Sequence, residues 1–125
     1  MEITTLINLA TRLEAAGLQW DPEIGDEVID RSDLDKVGIL VDPQGLSSDE
    51  LRGNYLWLPS IEQLILEVEH RDAIIFHAGS TGQNHYEVVL KTAGGLVRAS
   101  GIEFRIALGN AFESLLCEEH RVELH

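Results

Sequence analysis

Apolar positions recur with two different periods along this 125-residue chain, and the change between them outlines the fold. Leu6, Leu9, Ala10 and Leu13 share one side of a 3.6-residue repeat. They predict a helix over about 4–16, with Thr4 or Thr5 as cap and Gly17 as the C′ residue. Ile61, Leu64, Ile65 and Val68 fall at i, i+3, i+4 and i+7 and predict a second helix over about 60–71. Ser60 followed by Gln63 has the form of a capping box, while Glu62 and Arg71 carry the signs the helix dipole favours at either end. Phe104, Ala107, Leu108, Ala111, Phe112 and Leu115 line one side of a third helix over about 101–118, capped by Ser100 with Glu103. Gly109 interrupts that helix at a cost of ~1 kcal/mol relative to Ala, and close packing is the only explanation the sequence offers.

After Arg71 the period falls to two. Strands are expected at about 73–78, 85–92 and 96–100, joined by turn-rich residues 79–84 and 93–95. Links this short force antiparallel neighbours, so the three form a meander. In its middle strand Tyr86, Val88 and Leu90 should face the core and His85, Glu87 and Lys91 the water, with Val89 breaking the alternation. Earlier in the chain, residues 20–26 read as turns, 27–30 as a weak strand, 33–36 as a link and 37–41 as a strand. Residues 47–53 read as a surface loop with one helical turn, Ser47 and Glu50 forming a second capping box. Residues 54–58 form an aromatic, strand-like run that ends at Pro59. Together these describe one α+β domain over 1–125, an antiparallel sheet centred on the meander with amphipathic helices on one face.

Charge changes the picture. Nine basic residues stand against 22 acidic ones, a net charge of −13. Residues 21–50 hold ten acids and two bases, so this segment alone carries −8. Such a surface repels nucleic acid and anionic lipid and favours a basic partner. Asp26, Glu27, Asp30, Asp33 and Asp35 are therefore the candidate partner-binding residues. The start Met1-Glu2-Ile3 has no basic n-region and no apolar run approaches the ~20 residues of a membrane span, which points to the cytoplasm.

Candidate chemistry is sparse. Cys117, His120 and His125 give C-x2-H-x4-H, half of a zinc pattern with no second pair, and Cys117 reads as a buried or half-buried thiol. It sits near a helix C-terminus beside Glu118 and Glu119, the wrong setting for an activated nucleophile. His77 and His85 flank one hairpin loop without a carboxylate at fixed spacing. Asp33, Asp35 and Gly38 begin like an EF-hand loop, but Val37 and Gln44 occupy positions that must supply oxygen ligands. Gly79-Ser80-Thr81-Gly82 joins two strands rather than a strand and a helix, and so reads as a turn and not a phosphate cradle. No catalytic site, metal or cofactor is assigned. Trp20, Tyr55 and Trp57 remain open between core and binding surface.

The W-x-P-x-x-G-D block at 20–26 and the L-W-L-P-x-x-x-Q-L block at 56–64, followed by a final helix, resemble small bacterial and phage or prophage proteins of no assigned activity. The resemblance covers most of the chain in outline. It implies a mobile-element origin and an accessory role, and transfers no catalytic or binding residue. The leading expectation is a non-enzymatic interaction protein with an unidentified, basic protein partner, acting as a small homo-oligomer. The alternative is an acidic DNA mimic that occupies a nucleic-acid-binding protein. A metal-dependent hydrolase ranks behind both.

Overall fold

A computed structural model describes the backbone of residues 3–123 and the side chains of residues 3–119. Four helices and two three-stranded antiparallel sheets make up an α+β fold. In chain order they are α1 (Ile3–Ala15), β1 (Glu27–Asp30), β2 (Asp33–Ile39), α2 (Ser48–Asn54), β3 (Tyr55–Trp57), α3 (Ile61–His70), β4 (Ile74–Gly82), β5 (His85–Thr92), β6 (Gly95–Gly101) and α4 (Phe104–Glu123).

The three expected helices form on their expected apolar faces, but α4 starts at Phe104 rather than 101 and runs to Glu123, because Ser100 and Gly101 stay in β6; the expected Ser100 cap is therefore not at its start. Leu6, Leu9, Ala10 and Leu13 are all buried on α1. Its end is a Schellman motif: Leu18 N–H donates to Leu13 C=O (3.0 Å), Gly17 N–H donates to Glu14 C=O (3.1 Å), and Gly17 takes φ +106°. At its start, Thr4 and Thr5 already lie inside the helix, and the residues before Ile3 are outside those described. On α3, Ser60 and Gln63 close the capping box in both directions, at 2.9 and 3.1 Å, and Leu64 and Val68 are fully buried.

Gly109 now has its reason. A Cβ built there would lie 2.4 Å from Leu9 Cδ2, so the glycine is what lets α1 cross α4 at close range.

The meander forms with β5 in the centre, in the order β4-β5-β6. Val88 and Leu90 are fully buried, Tyr86 is half-buried, and α4 packs on β5 and β6. β4 runs on to Gly82, further than the expected strand, because a two-residue turn at Gln83 and Asn84 (φ +55°) closes the hairpin. Val89 points to the face opposite the helices yet is only 2% exposed, and it lies outside the contiguous core.

The second sheet, in the order β2-β1-β3, goes beyond what the sequence suggested. Residues 33–36 are not a link. Asp30 folds back to accept from Ser32 N–H (2.8 Å) and Ser32 Oγ–H (2.6 Å), which turns the chain at Arg31 and Ser32 and starts β2 at Asp33. These hydrogen bonds, the side-chain one foremost, hold the Asp30 carboxyl below its usual pKa. Pairing then jumps from Asp30 with Asp33 to Ile29 with Val37, leaving Leu34, Asp35 and Lys36 bulged out of the ladder. The expected single turn near residue 50 is a full helix, α2, because the Ser47 and Glu50 capping box closes and Leu51 is buried beneath it.

Candidate functional site

The two sequence blocks meet at Asp26. This carboxylate is 6% exposed. Its Oδ2 accepts from Trp20 Nε1–H (2.8 Å) and Glu23 N–H (3.0 Å), and its Oδ1 accepts from Gln63 Nε2–H (2.7 Å). Gln63 caps α3 with its amide oxygen while its amide nitrogen holds Asp26, so one side chain fixes both the helix start and the loop before β1. Gly25, at φ +100°, turns that loop and donates its N–H to Leu40 C=O (2.7 Å). Trp20 stacks on Trp57 with ring centroids 6.5 Å apart and planes 16° from parallel, and both rings are buried. The open question about the tryptophans resolves to core. Tyr55 is half-buried against it.

Asp26 is thus a correction to the list of partner-binding acids. Three donors occupy most of its lone-pair sites, and its burial removes it from any partner's reach. Glu27 pairs with Arg105 Nη2 at 2.9 Å, and the same guanidinium donates to Pro59 C=O (2.9 Å) and Leu58 C=O (3.0 Å). Asp30 closes the β1–β2 turn, and Asp33 lies 3.8 Å from Lys36 Nζ. Asp35 is exposed on the bulge. The five acids are divided among interior, turn and edge and do not form one acidic face.

What the hairpin and the residues flanking it do present is apolar. Ile24 and Val41 are 71% and 73% exposed, and Leu34, Val37 and Ile39 are exposed as well. All five lie inside the segment that carries −8. Beside them a groove of about 320 Å³ runs over Gly38, bounded by Val28, Val41, Asp42, Gln44 and Tyr55. Gly38 leaves it open, since nothing stands within 4 Å of a Cβ built at that position.

Other concavities lie elsewhere on the described residues, two of them beside the core. One of about 200 Å³ borders the tryptophan pair, with Trp57 and Leu66 in it and Asp21, Glu23, Glu67 and His70 around it. The other, of about 410 Å³, lies where Arg71, Leu115 and Glu119 face Thr92 and Ala93. Arg71 is committed there to Glu67 (2.9 Å), to Glu119 (3.4 Å) and to the ring of Phe112, 5.0 Å from its guanidinium carbon.

No protein-family model matches this chain, and comparison with curated proteins and with solved structures returned no match.

Among the described residues no three His, Cys, Asp or Glu side chains converge as a metal would require. His77 pairs with Val89 and His85 with Gly82, which sets the two histidines four β5 positions apart, about 13 Å along the strand. The side chain of His120 and all of His125 lie outside the described residues. Cys117 is exposed rather than buried or half-buried, because one helical step past Leu116 turns it off the core face. No described helix is long and apolar enough to cross a membrane.

The role of Asp26 escaped the sequence reading, since a carboxylate in an acidic run reads as a surface charge. The clue was its company: an indole N–H donor six residues before it, and a glutamine that also serves as a helix cap.

Proposed function

We propose that this chain is a non-enzymatic interaction protein, an accessory factor of phage or prophage origin working in the cytoplasm, that docks a basic protein partner on the β1–β2 hairpin. One observation carries the reading. Ile24, Leu34, Val37, Ile39 and Val41 stand exposed in the most acidic stretch of the chain, beside an open groove over Gly38. Apolar anchors ringed by like charge suit a surface that buries aliphatic contacts at its centre and steers its partner by its rim. Apolar side chains between the acids also favour a protein over the nucleic-acid mimicry that the charge alone suggested.

Capture from host lysate with the full chain tests it. A partner retained by the wild type should be lost with Val37→Glu/Ile39→Glu, weakened by Asp33→Asn/Asp35→Asn/Asp42→Asn, and released by salt. Capture of nothing, or of a partner indifferent to both sets, would overturn the reading.

A further inference from the structure

We infer that two copies of this chain pair through the outer edge of β4, joining their meanders into one continuous six-stranded antiparallel sheet. This surface is separate from the β1–β2 hairpin, so either reading can fail without the other.

β4 is nine residues long and, among the described residues, has β5 as its one strand neighbour, so its other side is a sheet edge. Natural edges of this kind are guarded by charge, proline, bulges or a covering element. Here the charge guard is missing. Residues 73–82 contain no Asp, Glu, Lys, Arg or Pro in a chain of net charge −13. Two bulges interrupt the ladder, between Ile75 and His77 and between Ser80 and Gly82, but His77, Ala78, Gly79 and Ser80 pair in unbroken register between them. That run has small side chains at three of its four positions, which lets a second backbone come close.

Charge chooses the occupant. Any two copies repel, and they repel least where both surfaces are neutral. Residues 73–101 hold one acid, Glu87, against Lys91 and Arg98, a net of +1, so the meander is the one large region of the molecule that is not acidic. β6 offers the sheet's other edge but carries Arg98, which two copies would set against each other. β4 itself has no fixed charge; Asp72 stands just before it, and on β5 Glu87 lies opposite Gly79 and Lys91 opposite Ile74. An antiparallel pairing of one strand with itself is isologous and closes after two copies, so it yields a dimer and not a fibre. Phe76, 60% exposed at the first bulge, and Ile74 beside it would then be covered by the second copy.

Sedimentation equilibrium of the full chain over a wide concentration series tests this. A reversible dimer is expected, tightened by added salt because salt screens the repulsion between acidic copies. Phe76→Glu should weaken it by roughly thirtyfold or more, the loss typical of a central aromatic contact, while leaving the circular dichroism unchanged. Val37→Glu should leave the dimer intact. A chain that stays monomeric throughout, a dimer indifferent to Phe76→Glu, or one that salt dissociates would overturn the inference. If Phe76→Glu disturbs folding, Gly79→Lys takes its place, since a Cβ there meets only ordinary contacts at 3.7 Å.

Discussion

The two sheets share a strand count and differ in almost everything else. Each has three antiparallel strands, but β4-β5-β6 follows the chain in order whereas β2-β1-β3 starts from its middle strand, and the sheet containing β1 is short, bulged and acidic. The meander is longer and nearly free of charge, with its two bulges confined to the β4–β5 ladder. The first is held in place by directed polar contacts: Asp26 to Trp20 and Gln63, Arg105 to Glu27 and the Pro59 carbonyl, Arg52 Nε–H to the Trp20 carbonyl. The second is held by its own ladder and by the apolar side of α4. The lesson is that an edge is guarded by whatever its sheet has to spare. β2 has charge and a three-residue bulge, whereas β4 has neither charge nor proline and is left open to pair.

The sharpest way to break this comparison is at Asp26. Asp26→Ala should cost about 3 kcal/mol in chemical denaturation, because the buried Trp20 indole and two part-buried donors lose their acceptor at once. A loss of under 1 kcal/mol would show that polar contacts do not seat this sheet. Next comes Arg105→Met, which keeps the aliphatic stem but removes the donors to Glu27, Leu58 and Pro59, at about 2 kcal/mol. On the α4 side, Gly109→Ala sets overpacking against Leu9, about 1–3 kcal/mol, against ~1 kcal/mol of regained helix propensity. The expected net is a loss near 1 kcal/mol.

The tryptophans offer a finer contrast. Trp57 Nε1 is buried without a hydrogen-bond partner, whereas Trp20 Nε1 holds Asp26. Trp57→Phe should therefore stay within about 1 kcal/mol of neutral, the lost packing offset by removal of an unpaired donor, and Trp20→Phe should cost about 2 kcal/mol. The smallest effect is one of pH. Asp30 has its folded pKa depressed chiefly by the Ser32 hydroxyl, so its contribution is present above the ordinary carboxylate range and is lost as pH falls through the folded value. Asp30→Asn should flatten the acid limb of the stability profile slightly, as read from thermal melts between neutral and acid pH.

How much of this was legible beforehand follows the same divide. The helices and the meander rest on local periodicity and caps, and those can be read from single stretches such as Ser60 to Val68. The β1–β2 hairpin rests on an aspartate bending back to Ser32, and its register skips three residues, which no two-residue period can show. Asp26 depends on Gln63, 37 positions away, and Gly109 on Leu9, 100 positions away. Pairings so distant in sequence leave no trace in local pattern. The acids meant for a partner were chosen by number, and number says nothing about which of them fold inward.

The contrast between a guarded and an open edge is tested most directly by residue-resolved amide exchange on the full chain at low and high protein concentration. Protection at residues 77–80 of β4 should rise with concentration while residues 34–36 of β2 stay unchanged. Equal exchange in β4 at both concentrations, or a gain confined to β2, would contradict it.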